Sequence, residues 1–398
     1  MLLIKNAKLV NEDIVDILIK DKIIYKIDKN IDKSDAKVID AKNSYILPGI
    51  IDLNIRVRDD NLSQKHLDEI EQRAIKAGIT TVVLNCDFTP KVENKTHLEL
   101  LYNQLKNRKV KFVLNIKGLN EQNRLNDISI LLKAGAEVIH ENSDISTNNL
   151  RRISQYAIMH KTPLFIFCQN RDLNENGVMN EAEVSFELGI PGISKVGEIS
   201  EVAKVSAISD YYDVPVLFQT LSTQKSIDIA NRTKNGYVEV SIHHLLKSDE
   251  SCRDFNTYAK INPPLRSEPE RQKLLNSLKE KKIDTITTLF SPMSITNKDL
   301  PFELAKFGID EMERFLPLIY TCLVKEGFIS MEDIQKILTQ NPAKVLNTKP
   351  QEIKEGEKAT FILFDPRQKT VIDDTSSIYN KEELSGKVTH TVIEGVTF

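Results

Sequence analysis

The side chains that could bind a metal ion are few and scattered along the sequence. Imidazole, thiolate and carboxylate groups are the donors that zinc prefers, and the candidate set is His140, Glu141, Cys168, His243 and His244. His140 and Glu141 are adjacent, so on a strand they would point to opposite faces. We expect the histidines to make structural hydrogen bonds or to lie at the surface, and a metal site assembled from this set is the less favoured alternative.

Residues 47–58 contain a second group of polar side chains. The segment reads LPGIIDLNIRVR and places Asn54, Arg56 and Arg58 at every second position. A guanidinium has no lone pair for a metal ion and stays protonated in proteins. Arg56 therefore contributes charge and hydrogen-bond donors, but no metal ligand.

The composition excludes several classes of function. The chain has 398 residues and a formal net charge of −3, without the basic excess of a nucleic-acid-binding protein. No apolar run approaches the roughly 20 residues of a membrane span, and the N-terminus has no apolar region of signal-peptide length. The four cysteines lack CxxC spacing, which is typical of reduced thiols. We expect a cytoplasmic protein with neither nucleic-acid nor membrane partners.

The apolar pattern divides the chain into two parts. Short alternating runs near both ends predict strands with no helices between them. In the middle, amphipathic helices alternate with short apolar strands, as in the predicted helix 62–77 and the strand 80–84 that follows it. About eight such units over roughly 300 residues are the size of a (β/α)8 barrel. We predict a barrel at residues 49–344 and a composite small β domain from residues 1–48 and 345–398.

Several sequence blocks are similar to those of dihydroorotases and related cyclic amidohydrolases of the amidohydrolase superfamily. The segment PGIIDLNIRVR resembles the signature PGxIDxHxHxR. Other matching blocks, in the same order as in the family, are residues 77–83, 177–181, 188–192, 243–245, 259–267 and 341–344. The resemblance implies an α/β fold, namely a (β/α)8 TIM-like barrel with a small β-sandwich domain built from both chain termini. It also implies a binuclear zinc centre whose bound water ionises near neutral pH.

Five positions that align with metal ligands or with the catalytic aspartate of this family carry other residues. We call them the degenerate positions: Asn54, Arg56, Phe167, Thr220 and Leu289. Leu289 aligns with the aspartate that binds metal and transfers the proton. Apolar replacements such as Phe167 and Leu289 disfavour a hydrated cation. The resemblance therefore predicts no catalytic residues, no metal ligands and no cofactor, with the zinc site lost.

One acidic residue survives in the aligned metal site. Glu141 takes the place of the metal-bridging aspartate and is the remnant of that site. Arg56 would enter the same region, and a buried arginine needs a carboxylate partner. We predict that an Arg56–Glu141 ion pair occupies the vacated metal volume.

The resemblance also points to a substrate-like pocket made of Arg58, Asp87 and Asn262. Arg58 aligns with the arginine that pairs with the substrate carboxylate, and Asn262 aligns with an asparagine near the substrate. Asp87 replaces another asparagine, and its charge would repel an anionic ligand by about 4 kcal/mol at 4 Å. Two alternatives stay open: Arg58 pairs with Asp87 inside the protein, or the pocket still binds an anion.

Three hypotheses for function follow from the resemblance. The favoured one rests on a resemblance to the inactive dihydroorotase-like chains that associate with aspartate transcarbamoylase. It is a non-catalytic, dihydroorotase-like protein of pyrimidine biosynthesis, a pseudoenzyme that acts as an assembly or regulatory partner of the aspartate transcarbamoylase catalytic chain. The second is an active dihydroorotase-type hydrolase of cyclic amides with atypical metal use. The third is a non-catalytic binder of carbamoyl aspartate or dihydroorotate. A homo-oligomer is also open.

Overall fold

The computed structural model of the protein describes residues 1–92 and 94–398. The strands of this described part, in chain order, are β1 (Leu2–Lys8), β2 (Ile14–Lys20), β3 (Ile23–Asp28), β4 (Lys37–Asp40), β5 (Tyr45–Pro48), β6 (Ile50–Ile55), β7 (Ile79–Leu84), β8 (Lys111–Lys117), β9 (Val138–Asn142), β10 (Leu164–Phe167), β11 (Met179–Asn180), β12 (Gly192–Ile193), β13 (Val216–Gln219), β14 (Gly236–Ser241), β15 (Thr285–Thr287), β16 (Phe361–Val371), β17 (Glu383–Ile393) and β18 (Val396–Thr397).

Helices follow most of the central strands. The α-helices are α1 (Gln64–Ala77), α2 (Lys95–Leu105), α3 (Ile128–Lys133), α4 (Thr147–His160), α5 (Arg171–Asn174), α6 (Glu183–Leu188), α7 (Lys195–Tyr212), α8 (Gln224–Ala230), α9 (Ile242–Leu246), α10 (Glu268–Lys279), α11 (Ile295–Lys298), α12 (Phe315–Ile319), α13 (Met331–Gln335) and α14 (Asn341–Val345). Shorter 3-10 helices are Arg58–Asp60, Asp249–Phe255, Thr257–Ala259 and Met312–Arg314, and π-helical turns are Tyr320–Val324 and Lys336–Gln340. Within the described residues, none of the helices combines the length and apolarity needed to cross a membrane.

Eight parallel strands form a nearly closed barrel. Hydrogen bonds connect them in the order β6-β7-β8-β9-β10-β13-β14-β15, and β15 lies beside β6. Inside the barrel, strand residues such as Leu53, Val83 and Phe165 pack with Ala343 and Val345 of α14. The predicted (β/α)8 barrel is therefore confirmed, with its functional face at the carboxyl ends of the strands.

Both chain termini build the second sheet, which confirms the predicted terminal β-sandwich. Its order is β18-β17-β16-β5-β1-β2-β3, with β4 paired to β1. The antiparallel pairing of β16 with β5 joins the C-terminal strands to the N-terminal ones. Ile4 and Ile17 pack with Phe361 and Val392 in one apolar core. The residue bounds given above for the two domains stay a prediction.

Helix α1 shows how local sequence sets the direction of a barrel strand. Its N-cap is Ser63, whose hydroxyl accepts a hydrogen bond from the backbone N–H of His66, and the helix buries Leu67 and Ile70. Its C-terminal cap is Gly78, which has φ of 78°, a left-handed conformation that glycine adopts without steric cost. The chain then turns directly into β7, whose carboxyl end carries polar residues of the candidate site.

Candidate functional site

A cavity of about 220 Å³ lies at the carboxyl ends of the barrel strands. Its apolar lining includes Phe167 and Leu289. Its polar lining includes four side-chain amides, one imidazole and two charged groups: Asn54, Asn85, Gln219, Asn262, His140, Arg56 and Asp60. We call this space the barrel-mouth cavity.

The cavity brings together five of the residues that the sequence placed at the site. These are Asn54, Arg56, Phe167, Leu289 and Asn262. The other predicted site residues lie outside the described lining and are Arg58, Asp87, Glu141 and Thr220. The substrate-like pocket predicted from Arg58, Asp87 and Asn262 is therefore not one pocket in this structure.

A chain of alternating charges runs along the barrel mouth. Arg56 Nη1 lies 3.5 Å from Asp60 Oδ1, and Arg56 Nη2 lies 3.2 Å from Asp87 Oδ2. Lys117 Nζ lies 2.8 Å from Asp87 Oδ1 and 3.6 Å from Glu141 Oε1. We call these five residues the mouth ion chain. The predicted Arg56–Glu141 ion pair is wrong. Asp87, which follows β7, is a partner of Arg56, and Lys117, at the end of β8, is the partner of Glu141.

The charged state of the mouth ion chain follows from its pairing. Burial alone would raise the pKa of Asp87, but the positive charges of Lys117 and Arg56 outweigh it and hold that pKa well below its usual range. Burial lowers the pKa of Lys117, and the Asp87 carboxylate more than reverses this, so the pKa is raised. Burial raises the pKa of Glu141 against the opposing effect of Lys117. Asp87 and Lys117 therefore form a charged pair at neutral pH.

Arg58 is held by carboxylates outside the cavity. Its Nε donates to Glu69 Oε2 at 3.0 Å, and its Nη2 contacts both Glu69 Oε1 and Asp310 Oδ2, the latter at 3.2 Å. Its Nη1 also reaches the carbonyl of Met293 at 3.5 Å. The alternative in which Arg58 pairs with Asp87 is wrong, because Glu69 and Asp310 surround the guanidinium instead.

A buried network forms the floor beneath the cavity. Asn54 Nδ2 donates to Thr220 Oγ1 at 3.0 Å and to Glu239 Oε1 at 3.4 Å. Burial, and then the nearby Asp52 carboxylate, raise the pKa of Glu239 to about 8. Asn54 Oδ1 and Glu239 Oε2 have no hydrogen-bond partner among the described residues. Glu239 is therefore held mostly protonated at neutral pH.

Two degenerate positions have strained backbones. Thr220, after β13, has φ of 49°, and Leu289, after β15, has φ of 50°. Residues other than glycine rarely adopt this left-handed backbone conformation, and a β-branched residue adopts it at an energetic cost. Thr220 is stabilised there because its N–H and its hydroxyl both donate to Glu239 Oε1, at 3.2 and 3.1 Å.

His140 and the buried cysteines are not activated for chemistry. Cys86 Sγ lies 4.0 Å from His140 Nδ1. Burial lowers the pKa of His140 to about 3 and raises the pKa of Cys86 to about 12. Burial also raises the pKa of Cys168 well above its ordinary value. The imidazole is therefore neutral and both thiols stay protonated near pH 7.

His243 and His244 are tied into the protein at both ring nitrogens. His243 contacts Tyr379 Oη at 2.9 Å and a backbone carbonyl at 3.0 Å. His244 contacts Ser241 Oγ at 2.6 Å and a backbone carbonyl at 3.1 Å. Burial lowers the pKa of His243 to about 3 and that of His244 to about 4. Both side chains act as structural hydrogen-bonding groups.

A buried arginine connects several of the sequence blocks beside the cavity. Arg266 Nε donates to Ser222 Oγ at 2.9 Å, and its Nη1 donates to Asn180 Oδ1 at 3.1 Å and to the carbonyl of Ile193 at 2.9 Å. Its Nη2 lies 3.8 Å from Glu198. We call these five residues the Arg266 network. It connects the block at residues 177–181, through Asn180, with the block at residues 259–267, through Arg266.

The donor set at the mouth differs from a binuclear zinc centre. Across residues 1–92 and 94–398, no three histidine, cysteine, aspartate or glutamate side chains converge as metal ligands. The amide nitrogen of Asn54 donates to protein acceptors, and Arg56 is committed to Asp60 and Asp87. These residues do not fit the family's metal centre as they stand, so no chemical step is derived through a metal.

Comparison with known proteins places the chain in a family. The family model described as "Dihydro-orotase-like" matches residues 43–211. A dihydroorotase of Acetivibrio thermocellus is 30% identical over 401 residues, which cover 96% of this chain and 94% of that protein. A dihydroorotase of Clostridioides difficile is 30% identical over 423 residues, which cover 99% of each. The chain belongs to the dihydroorotase family.

Solved structures show the same fold for this dihydroorotase-like protein. The L-hydantoinase (dihydropyrimidinase) of Arthrobacter aurescens superposes with a TM-score of 0.87 at 18% identity, covering 100% of this chain and 95% of that one. The dihydropyrimidinase of Brevibacillus agri NCHU1002 gives a TM-score of 0.84 at 19% identity, with 100% and 94% coverage. At this level of identity the similarity concerns the fold alone.

The prediction that the protein has no cofactor is wrong by these comparisons. The chain belongs to the dihydroorotase family, for which the motif resemblance implies a zinc centre, and no comparison indicates that this centre is lost. The replaced side chains at the degenerate positions misled the prediction, because a ligand set read from aligned positions does not establish whether a family's cofactor is absent.

Several residues of the site were not identified from the sequence. Lys117 is the last residue of β8, and Glu239 is the single acid within the apolar segment of β14. Asn85 and Gln219 lie at the carboxyl ends of β7 and β13. Their position at strand ends was the available signal, since functional groups of a (β/α)8 barrel lie there.

Proposed function

We propose that this chain is a non-catalytic, dihydroorotase-like protein of pyrimidine biosynthesis that acts as an assembly or regulatory partner of the aspartate transcarbamoylase catalytic chain. The observation that carries the proposal concerns Arg58, which aligns with the family arginine that pairs with the substrate carboxylate. Its guanidinium is paired with carboxylates of the protein itself. Arg58 is surrounded by Glu69 and Asp310, outside the barrel-mouth cavity. It cannot bind a substrate carboxylate without breaking these contacts.

The position of the proton-transfer group supports the same proposal. Leu289 stands where the family has its catalytic aspartate, and its side chain lines the cavity. A hydrocarbon side chain cannot accept or donate a proton. The neighbouring titratable groups do not replace it, because His140 has a pKa of about 3 and Asp87 is paired with Lys117 and Arg56.

The partner follows from the motif resemblance to inactive chains that associate with aspartate transcarbamoylase. A structural role requires that the fold is kept, but it does not require catalytic side chains. The buried Arg266 network is consistent with such a role, because it connects the loops at the barrel mouth. The test is to co-express the full chain with the transcarbamoylase catalytic chain and to measure the mass of the assembly. Co-elution at a defined stoichiometry is expected, and separate elution at micromolar concentrations would contradict the proposed partner.

An active dihydroorotase-type hydrolase with atypical metal use is the second candidate. The observation that favours it is that relatives covering nearly the whole chain are named dihydroorotase. Interconversion of dihydroorotate and carbamoyl aspartate is assayed on protein whose metal content is measured in the same sample. Turnover that rises with bound metal would establish this alternative over the proposed function.

A further inference from the structure

We propose that the barrel-mouth cavity binds a small neutral ring molecule with amide-type donors and acceptors, and that it excludes the same ring when it carries a carboxylate. The inference rests on the proposed function, since it names the ligand class of a site that does not turn over dihydroorotate. The cavity has a volume of about 220 Å³. This space accommodates a small ring molecule.

Buried polar groups in the lining lack protein partners. Gln219 is 2% exposed and its side chain makes no hydrogen bond to the described residues. Asn85 is 4% exposed, and its Oδ1 accepts the N–H of Asp87 at 2.8 Å while its amide nitrogen has no described partner. Asn54 Oδ1 and His140 Nε2 are also unpartnered. Because unpaired buried polar groups are unfavourable, a ligand that pairs with the amides lining the cavity is stabilised.

The lining offers no uncompensated positive charge. Arg56 is the one cation among the described lining residues, and it is already paired with Asp60 and Asp87. Asp60 itself lines the cavity. Arg58, the expected carboxylate-binding residue, is held by Glu69 outside the cavity. A carboxylate inside would therefore lose its hydration without gaining a counter-charge.

Apolar side chains complete the shape of the cavity. Phe167 and Leu289, together with Ile261 and Phe307, contribute the apolar part of the lining. A ring molecule has apolar faces and a polar edge, so its faces can pack on these side chains while its edge reaches the amides. A site of this kind discriminates by hydrogen-bond pattern and by charge.

Dihydrouracil and dihydroorotate test the proposal, because they differ only in the carboxylate. Binding to the full-length protein is measured by isothermal titration calorimetry. Dihydrouracil is expected to bind at least ten times more tightly than dihydroorotate. Gln219→Leu is expected to weaken dihydrouracil binding at least tenfold, whereas the control Gln104→Leu, an exposed amide on α2, leaves it unchanged.

Two results would overturn the inference: dihydroorotate binding as tightly as dihydrouracil, or no heat from dihydrouracil up to its solubility limit. If Gln219→Leu does not fold, Asn262→Leu replaces it, because Asn262 is half-buried and its side chain makes no hydrogen bond to the described residues. Carbamoyl aspartate is quantified in each dihydroorotate sample. Its formation contradicts the proposed function, whereas the ratio of affinities tests the ligand preference separately.

Discussion

At the scale of single residues, the barrel mouth is organised by charge pairing within the protein. Four neighbouring strands and the segments after them supply Arg56, Asp87, Lys117 and Glu141, with alternating sign. The need of Arg56 for a carboxylate could be predicted from its chemistry. The identity of that carboxylate could not be predicted. It depends on Lys117, which lies between Asp87 and Glu141, and a lysine at a strand end has no distinguishing sequence pattern.

Lys117→Met tests the mouth ion chain. The substitution keeps the aliphatic stem and leaves Glu141, whose side chain is 6% exposed, without its cation. Removing one partner from a largely buried pair costs about 3 kcal/mol in the free energy of unfolding. Lys111→Met is the control, since Lys111 lies at the other end of β8 and pairs with Glu137 at the surface, where such pairs contribute about 1 kcal/mol or less. Urea unfolding measures both; equal losses would show that the mouth ion chain does not stabilise the fold.

Glu239→Gln tests the buried carboxyl beneath the cavity. Its pKa is raised from 4.5 to about 8 in the folded protein, so the folded state binds the proton more tightly than the unfolded state. Stability is then fully present below about pH 4.5 and falls as the pH rises towards 8, by up to about 1.4 kcal/mol per pH unit. The neutral amide removes this loss.

The comparison requires unfolding curves of the parent and of Glu239→Gln between pH 5 and pH 9. The variant is expected to become progressively more stable than the parent as the pH rises, and Glu137→Gln, an exposed acid on the barrel surface, serves as the control. A pH-independent difference between Glu239→Gln and the parent would mean that Glu239 is ionised in the folded state.

At the scale of elements, the strand ends and the loops that follow them determine the site. Strand β15 ends at Thr287, and two residues later the chain turns into a left-handed conformation at Leu289. Alternation of apolar residues shows where a strand lies, but it carries no information about such a turn. In β14, Glu239 interrupts the apolar run, so the alternation of that strand is weak.

The loops at the mouth are connected by the Arg266 network, and Arg266→Met tests this role. The guanidinium and Glu198 are both almost completely buried, with side-chain exposures of 3% and 4%. Loss of the arginine leaves a buried carboxylate unpaired, which costs about 3–5 kcal/mol. The matched control is Arg253→Met, whose ion pairs are at the surface, with an expected loss below about 1 kcal/mol.

The double variant Arg266→Met with Glu198→Gln separates charge from packing. Neutralising Glu198 removes the unpaired charge, so the double variant is expected to be more stable than Arg266→Met alone. Thermal unfolding of the three proteins measures this coupling. Additive losses would indicate that the arginine contributes through its packing and hydrogen bonds rather than through its charge.

At the scale of the whole molecule, a dihydroorotase-type fold carries charge pairs within the protein at its barrel mouth. The barrel and the sheet built from both termini could be predicted from the alternation of elements and from the sequence blocks, because both depend on apolar pattern and local turns. The pairing of Arg58 with Glu69 and Asp310 could not, since these residues are far apart in sequence and meet only through the fold. The comparisons likewise corrected the expectation of a protein without a cofactor.

The most direct test of the non-catalytic proposal is the turnover of dihydroorotate by purified, zinc-supplemented protein, with the bound metal counted in the same sample. Because Arg58 is paired internally and Leu289 cannot transfer a proton, the rate is expected to equal that of buffer containing zinc alone. A rate that is proportional to protein concentration, and that rises with the amount of bound metal, would contradict the proposal.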